Sequence, residues 1–234
     1  MIPVPVRRSG TELLDQPSEQ EDDAEFESGM ADIRAVNLWL GGRRSIISHL
    51  PPFVGKQACI SVLDISTGTA DIPAAIALWA EKKGQRSFVA AADINPKILS
   101  YASRFLNDVP SVKLVAGDAF RLPFRDKSFD VVVCSLTLHH FTEAEVVEVI
   151  RKAQSLARKG IIIGDLRRSW ISFFLFRAIA WLFLRNRFTM HDGPLSIMKS
   201  FTPDELKIMA ERAGLKQFKI YSHVFWRMTL VATV

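Results

Sequence analysis

The sequence predicts an α/β fold with a Rossmann-like sheet of seven strands, the last of them antiparallel. Between residues 60 and 164, five short apolar runs alternate with helical segments, which is typical of parallel strands joined by right-handed crossovers. Two further strands near 216–222 and 225–233 follow each other too closely for a crossover, so they must be antiparallel neighbours. The earlier strands are predicted at 60–64, 87–93, 112–116, 129–134 and 160–164, with helices at 71–83, 96–107 and 142–158.

The residues before the sheet predict an arm followed by short helices. Residues 1–18 are rich in proline and polar side chains and are interpreted as a loose arm. A helix then leads from an acidic run to Gly41-Gly42, where glycine can close it, and a second helix spans 43–50. We therefore divide the chain into an arm with cap helices (1–52) and a main domain (53–234) with a cap insertion at about 166–200.

Composition sets mild limits on partners and compartment. The formal net charge of +5 and the pI near 9.4 permit an anionic partner without requiring one. Cys59 and Cys134 lie in apolar, strand-like contexts and are interpreted as small core residues. The five histidines and two cysteines are not grouped at ligand spacing, so no metal site is predicted. A start without a long apolar run predicts no secretory signal and a cytoplasmic protein.

The strongest chemical signal is the segment Val62-Leu-Asp-Ile-Ser-Thr-Gly-Thr-Ala-Asp71, in which a strand ends in an acid and a turn leads into a helix. Ligands related to nucleotides bind beyond the carboxyl ends of parallel strands, where such turns lie. Gly68 is the only glycine of this turn, whereas a pyrophosphate needs a glycine-rich loop without a carboxylate beside it. Asp64 instead suits a zwitterionic ligand that carries an ammonium and a sulfonium.

Two more strand ends carry residues suited to an adenosine. Asp93 ends the second strand, where a carboxylate can accept hydrogen bonds from both ribose hydroxyls, and Ile94 can pack on the adenine face. Asp118 follows the third strand and, with the next amide, could meet the adenine edge. The turn at 122–130 leads into the fourth strand, which is followed by Ser135-Leu-Thr-Leu-His-His-Phe141.

In this order and spacing, the four segments resemble the class I S-adenosylmethionine-dependent methyltransferases, and most closely the branch of the ubiquinone and menaquinone C-methyltransferases. The resemblance covers residues 60–165 and implies S-adenosyl-L-methionine as the cofactor. The chain departs from the usual turn of the family by placing Ser66 and Ala70 where glycines are common. The resemblance implies Asp64, Ser66 and Gly68 along the methionine portion, Asp93 and Ile94 along ribose and adenine, Asp118 and Ala119 at the adenine edge, and Ser135 and Leu136 beneath the methyl group.

The resemblance argues against nucleic-acid acceptors. Enzymes that methylate an exocyclic base amine resemble one another in an Asn/Asp-Pro-Pro-aromatic run after the fourth strand, where this chain has Ser135-Leu-Thr-Leu. Those that make 5-methylcytosine need a nucleophilic cysteine beside a proline, whereas Cys134 lies inside the apolar strand. We therefore expect no nucleic-acid partner.

The segment Trp170–Leu184 is apolar on almost every face of a helix, so something must cover it. It has 15 residues and contains Arg177, so it is too short to cross a bilayer, which takes about 20 apolar residues. A core or dimer helix, a lid over an apolar acceptor pocket, and shallow docking on an anionic membrane all remain open. The arginines that would aid such docking are Arg167, Arg168, Arg185 and Arg187.

Candidate catalytic residues are histidines near the expected methyl position. The segment 189–194 is predicted to be a polar turn in which Asp192 orients His191 as a general base. His139 and His140 end the fourth strand and are the alternative pair, and a structural role remains open for each of these histidines. The candidate substrate-binding residues are Arg43, Phe174, Arg177 and Trp181.

The predicted reaction is methyl transfer from S-adenosylmethionine to an oxygen or carbon of a hydrophobic small molecule, namely a phenol, a quinol or a polyketide-like compound. Because the donor is already activated, the protein mainly aligns the reactants and excludes water. Two alternatives remain. Ser66 and Ala70 favour a degenerate methyltransferase fold that serves as a binding subunit, and the missing glycine fingerprint opposes a nicotinamide-dependent oxidoreductase. A homodimer and peripheral membrane contact also remain open.

Overall fold

The computed structural model describes residues 4–15, 23–55, 57–183 and 186–234. Its strands are β1 (Cys59–Ile65), β2 (Arg86–Asp93), β3 (Val112–Ala116), β4 (Phe129–Ser135), β5 (Ala157–Leu166), β6 (Phe218–His223) and β7 (Arg227–Thr233). They form one seven-stranded sheet in the order β3-β2-β1-β4-β5-β7-β6. β7 is antiparallel to both of its neighbours, whereas the other pairs are parallel. The predicted sheet is therefore confirmed.

Helices cover both faces of this sheet. They are α1 (Asp23–Trp39), α2 (Gly42–Ile47), α3 (Pro51–Val54), α4 (Asp71–Lys82), α5 (Pro96–Ser103), α6 (Glu143–Leu156), α7 (Trp170–Phe183), α8 (Arg187–Lys199) and α9 (Pro203–Arg212). Polar side chains fix several helix starts, because they accept hydrogen bonds from the free amides of the first turn. Asn95 caps α5, and capping boxes begin α6 at Thr142 and α9 at Thr202.

Strand side chains alternate between two apolar layers. In β1, Leu63 and Ile65 belong to the layer that includes α6 and α9, and Val62 belongs to the layer of α2, α3 and α4. Full burial of such a side chain contributes about 1.5–3 kcal/mol. Because both faces of the sheet are covered, the parallel strands are continuous apolar runs in the sequence.

The strand order places a ligand-binding crevice at one edge of the sheet. β1 lies between β2 and β4, so the crossovers on either side of it run in opposite directions. Such a reversal opens a crevice outside the carboxyl ends of the two central strands. This edge carries the turn 66–70, Asp93 and Ser135. It is therefore the candidate ligand-binding site.

The predicted turn at 189–194 is wrong, because these residues lie inside α8. Asn186 caps this helix by accepting a hydrogen bond of 2.8 Å from the amide of Phe188. Pro194 lies within the helix, and a Cβ on Gly193 would overlap the ring of Phe176 on α7. The glycine that suggested a turn instead permits close packing of α7 on α8.

The predicted loose arm is also wrong for residues 4–15, since these residues pack against α8 and the start of α7. The amide of Arg8 donates to the carbonyl of Met198 at 3.0 Å. The buried Arg168 donates to the carbonyl of Pro5 at 2.7 Å. These contacts hold the arm along the edge of the sheet where the crevice lies.

The two cysteines differ in exposure. Cys134 is buried in β4, as predicted, and this burial raises the pKa of its thiol. Cys59 is exposed at the start of β1, so its assignment to the core is wrong. The apolar run that contains Cys59 begins at the amino edge of the sheet, where the helices no longer cover it.

Candidate active site

The turn between β1 and α4 has a left-handed backbone at three positions. Ser66, Gly68 and Ala70 have φ angles of 56°, 54° and 52°. For residues with a Cβ this conformation costs about 1–2 kcal/mol, so Ser66 and Ala70 carry strain that glycine would not. Around Gly68 there is open space where a Cβ would lie. The turn therefore leaves its backbone accessible to a ligand in the crevice.

Asp64, near the carboxyl end of β1, is a buried carboxyl with one oxygen free. Its Oδ2 accepts a hydrogen bond of 2.7 Å from the hydroxyl of Thr67. Its Oδ1 is buried and has no hydrogen-bond partner among the described residues. Burial raises the pKa of Asp64 to about 8, although the Thr67 hydroxyl acts in the opposite direction. A cationic group against Oδ1 would satisfy this oxygen, which fits the ammonium of a zwitterionic ligand.

Asp93 connects the end of β2 to the same turn. Its Oδ2 accepts from the amide of Gly68 at 2.9 Å, and its Oδ1 accepts from the amide of Asn95 at 3.0 Å. A carboxylate has about four acceptor positions, so two remain for a ligand. The neighbouring Ile94 is 70% exposed, which leaves an apolar face beside the acid. This pairing fits a ribose with its attached base.

The loop after β3 lies beside Asp93. The amide of Gly117 donates to the carbonyl of Asp93 at 2.9 Å. The half-buried Asp118 accepts from the amide of Phe120 at 3.0 Å, and Ala119 is buried between them. The structure therefore brings Asp118 and Ala119 to the same side of the crevice as Asp93. Their contact with an adenine edge stays a prediction.

Ser135 and Leu136 lie at the end of β4, on the other side of the crevice. Ser135 is the last residue of the strand and is half-buried. Leu136 has a left-handed backbone with a φ of 55°, and its amide donates to the carbonyl of Gly164 at 2.8 Å. Leu136 also lines the cavity described next, so this residue separates the crevice from that cavity.

A mainly apolar cavity of about 180 Å³ lies behind Leu136. Its walls come from α1, α7, α8 and the turn between β6 and β7. The apolar wall includes Ile33, Val36, Phe176, Ile179 and Phe225. Apolar cavities of about 150 Å³ accept a benzene ring, so this one has room for about one substituted aromatic ring.

One end of the cavity is polar. His139 is buried, and its Nδ1 lies 2.7 Å from Oδ1 of Asp165, whose Oδ2 accepts from the His139 amide at 2.9 Å. Glu12 of the arm places its two oxygens 3.8 Å from Nε2 of His139 and of His140. Lys199 donates to Glu12 at 2.9 Å. Asp165 therefore fixes the His139 ring and turns Nε2 towards Glu12, which also lines the cavity.

Glu12, His139 and His140 offer ligand atoms that lie within 4.8 Å of one another. Such a set could hold a metal ion. The ammonium of Lys199 already lies against Glu12, however, and its positive charge opposes a second cation at this place. The sequence suggested no such grouping because Glu12 reaches the histidines only through the arm. The prediction of no metal stays a prediction.

The predicted pair of His191 and Asp192 is formed, with 2.8 Å between Nδ1 and Oδ1. The carboxylate of Asp192 is buried and also accepts hydrogen bonds from the amides of Leu13 and Leu14, at 2.8 and 3.2 Å. Asp192 lines the cavity, whereas His191 is not among its lining residues and has a side chain that is 51% exposed. Asp192 thus fastens the arm to α8, and the role of His191 as a base stays a prediction.

Arg43, a predicted substrate-binding residue, is paired with Asp71 at the start of α4 at 3.2 Å. The buried Asp71 also accepts from Asn37 at 3.2 Å and from the hydroxyl of Thr69 at 2.6 Å. Arg34 on α1 donates to the carbonyl of Thr69 at 3.0 Å. These bonds hold α1 and α2 over the turn after β1, so Arg43 positions a cover for the crevice.

The structure separates α7 into two faces. The predicted substrate residues Phe174, Arg177 and Trp181 are exposed and are not among the residues that line the cavity. The cavity is lined instead by Ser172, Leu175, Phe176 and Ile179. Within the described part of the chain, no helix is both long and apolar enough to span a membrane. The lid interpretation therefore fits α7, but the residues of α7 that face the cavity are Leu175, Phe176 and Ile179 instead of the predicted ones.

The sequence does not predict Glu12 and Arg227, which line the cavity, or Asp165, which bonds the lining residue His139. Asp165 ends an apolar strand as Asp64 and Asp93 do, so the same sequence pattern could have identified it. Arg227 is buried and donates to the carbonyl of Leu40 at 2.9 Å, and burial lowers the pKa of Arg227 to about 10. Glu12 lies in a polar arm, where no local pattern distinguishes it.

Comparisons with known proteins show the family and the fold of this chain. A family model described as a methyltransferase domain matches residues 62–160. The ubiquinone/menaquinone biosynthesis C-methyltransferase UbiE of Burkholderia vietnamiensis is 30% identical over 173 residues, which cover 69% of this chain and 69% of that protein. The demethylmenaquinone methyltransferase of Lactobacillus johnsonii is 29% identical over 203 residues, covering 80% of this chain and 79% of that protein. A SAM-dependent methyltransferase structure from Aquifex aeolicus, 17% identical, shares the fold with a TM-score of 0.64 over 89% of this chain and 98% of that one.

Proposed function

We infer the acceptor from one premise: this chain belongs to the class I S-adenosylmethionine-dependent methyltransferases, near the ubiquinone/menaquinone C-methyltransferase branch. It is therefore an enzyme that uses S-adenosylmethionine. The acceptor that we propose is a hydrophobic phenol or quinol, bound in the cavity behind Leu136. The observation that carries this proposal is the cavity itself, which has room for about one ring between apolar walls and a polar end.

The crevice suits the cofactor through residues of three strand ends. Asp64 would take the ammonium, Asp93 the ribose hydroxyls and Ile94 the adenine face. When bound, S-adenosylmethionine supplies a methyl group on a positively charged sulfur. The orphaned oxygen of Asp64 and the exposed side chain of Ile94 support this assignment, because each lacks a partner that the ligand would provide.

We assign the general base to His139. Because Asp165 lies 2.7 Å from Nδ1, the proton of the neutral ring is held there and Nε2 is left to accept a proton. In this role His139 takes the proton of the acceptor hydroxyl, and Asp165 positions the ring. His191 suits the role less well, because it lies outside the lining and is half exposed.

Base catalysis has a large effect for such an acceptor. A phenol has a pKa of about 10, so at pH 7 only about one molecule in a thousand is ionised. A well-placed base typically contributes about 10²–10⁴-fold. Loss of this proton raises the electron density on the oxygen and on the ring carbons ortho and para to it, so the same base serves either site. The name of the Burkholderia relative specifies a C-methyltransferase, and we propose a ring carbon for this chain too. The carbon that gains the methyl group then loses its own proton and the oxygen is protonated again, which restores the aromatic ring and the hydroxyl.

The test uses S-adenosylmethionine with an isotope-labelled methyl group and a short-chain hydroquinone. NMR of the product should place the label on a ring carbon, whereas label on an ether oxygen would change the assignment to O-methylation. Transfer to neither would contradict the proposed acceptor class.

The base is tested by pH–rate profiles of His139→Gln, with His191→Gln as the matched control. His139→Gln should be slower at pH 7 by about 10²–10⁴-fold, and its rate should recover as the pH approaches the pKa of the acceptor hydroxyl. His191→Gln should keep the parent profile. Because His139 is buried, Asp165→Asn provides a second variant, and binding of S-adenosylhomocysteine checks that each protein is folded. A slow His191→Gln with a normal His139→Gln would refute the assignment.

A further inference from the structure

The mouth of the acceptor cavity opens among exposed apolar side chains. Leu175 and Phe225 line the cavity and are also 39% and 41% exposed, so the cavity wall continues onto the surface at these two residues. Three segments that contribute to the cavity wall, namely α1, α7 and the turn between β6 and β7, also carry exposed large apolar side chains. We name this surface the mouth patch; it comprises Leu38, Trp39, Ile171, Phe174, Trp181, Leu182 and Val224.

Backbone contacts hold the three segments of the mouth patch together. The amide of Arg167, just before α7, donates to the carbonyl of Trp226 at 2.7 Å. The buried Arg227 donates to the carbonyl of Leu40 at the end of α1 at 2.9 Å. These bonds join the start of α7, the turn between β6 and β7 and the end of α1, so the exposed apolar residues lie on connected segments, whereas scattered single ones would need no explanation.

The charge of α7 and of the strands β6 and β7 is one-sided, because they contain no acidic residue, whereas the first part of α1 carries Asp23, Glu25, Glu27 and Asp32. Residues 33–63, 166–191 and 212–234 contain no aspartate or glutamate, so all 25 acidic residues lie elsewhere in the chain. The same three stretches carry many of the basic residues, including the exposed Arg44 and Arg177. Exposed apolar side chains on the same segments as an exposed cation such as Arg177 are complementary to a layer of anionic headgroups over an apolar interior.

We propose that the mouth patch docks on the surface of an anionic lipid bilayer, so that a lipid-soluble acceptor enters the cavity from the membrane. This inference rests on the proposed function in one respect, since it assumes an acceptor with an apolar tail. The cavity has room for about one ring, so a tail must leave through the mouth. Docking would keep that tail in lipid while the ring reaches Leu136.

The structure changes which arginines can take part. Arg168 was expected to aid docking, but it is buried and donates to the carbonyls of Pro5 and Ser200, both at 2.7 Å. Arg187 is exposed but lies 3.3 Å from Glu25, which offsets its charge. Arg185 lies outside the described residues. Arg177 is exposed between Phe174 and Trp181, where its side chain can reach headgroups while its neighbours enter the lipid.

The experiment measures sedimentation of the full-length protein with vesicles, without acceptor or methyl transfer. One set of vesicles is phosphatidylcholine alone, and the other is an equimolar mixture of phosphatidylcholine and phosphatidylglycerol. The protein should partition onto the mixed vesicles, and high salt should weaken this partition because it screens the charges. Size-exclusion chromatography with light scattering, run in parallel, reports whether a second copy covers the patch instead.

Variants then locate the contact. Phe174→Ser combined with Trp181→Ser should lower the partition coefficient by about 10-fold or more. Arg177→Gln should lower it by about 5-fold on the mixed vesicles only. Phe88→Ser is the matched control, because Phe88 is an exposed phenylalanine at the amino end of β2, away from the mouth. Binding of S-adenosylhomocysteine confirms that each variant is folded.

The outcomes separate docking from the proposed function. Selective partition onto the mixed vesicles, lost in the double variant and kept in Phe88→Ser, supports docking. No partition, equal partition onto both vesicles, equal loss in the control, or a dimer that hides the patch would each overturn it. If the protein fails to bind vesicles and still methylates a short-chain hydroquinone, docking is wrong and the proposed function stands.

Discussion

Binding of S-adenosylhomocysteine should release a proton from Asp64. Burial raises the pKa of this carboxyl to about 8, so at pH 7 the ligand-free protein holds about 0.9 proton there. S-adenosylhomocysteine has the ammonium group of S-adenosylmethionine but not its sulfonium, so its binding tests the contact of the ammonium alone. An ammonium against Oδ1 favours the charged carboxylate, so binding at pH 7 must remove that proton at a cost of about 1.4 kcal/mol.

The affinity should therefore depend on pH in a defined direction. Below pH 8, each unit of pH rise should strengthen binding by up to about tenfold, and the gain should end as the pH passes the pKa of Asp64. The stability of the ligand-free protein should move in the opposite sense. Because the folded pKa lies above the unfolded value of about 3.9, the contribution of Asp64 is fully present below pH 4 and is lost as the pH rises through about 8.

Titration calorimetry in buffers of different ionisation enthalpy counts the released protons. The parent should release about 0.9 proton at pH 7 and few at pH 9. Asp64→Asn should release none and bind with little pH dependence, whereas the exposed Asp126→Asn controls for the change in net charge. If the parent and Asp64→Asn release the same number of protons, the ammonium does not contact this carboxyl and the reasoning is refuted.

Three further predictions, which use four variants, test other parts of the site. Asp93→Ala should weaken S-adenosylhomocysteine binding by about 2–4 kcal/mol, because it removes a charge-assisted acceptor pair, and unchanged calorimetric affinity would contradict the ribose assignment. Phe176→Ala should raise the KM of a water-soluble acceptor without changing cofactor affinity, whereas Phe174→Ala should change neither the KM nor the affinity. Equal effects of the two variants in steady-state kinetics would contradict the assignment of Phe176 to the cavity face of α7 and Phe174 to its exposed face. Ala70→Gly should stabilise the ligand-free protein by about 0.5–1 kcal/mol, since glycine relieves the left-handed strain, and a lower Tm in calorimetry would refute this.

The sequence by itself determined the sheet and the acidic residues at the carboxyl ends of its central strands. Parallel strands buried on both faces are continuous apolar runs, and these runs can be located without knowing their neighbours. Because the carboxyl ends of such strands meet at one edge, the acids that end them, Asp64 and Asp93, must come together. The structure joins both to the turn after β1, where Asp64 accepts from the hydroxyl of Thr67 and Asp93 from the amide of Gly68. Asp165 obeys the same rule and was overlooked because no motif accompanied it.

Only the tertiary structure decided the acceptor side. α7 is apolar on nearly every face, so its sequence has no periodicity that could separate Phe176, in the cavity, from Phe174, on the surface. The glycine and proline at 193 and 194 are typical of a turn, but they lie inside α8 because α8 packs closely on α7 at Gly193. Glu12 meets His139 because buried hydrogen bonds hold the arm on α8, and such a contact depends on the position of the whole backbone. Long-range pairings of this kind leave no local pattern, because neither partner constrains the residues beside it.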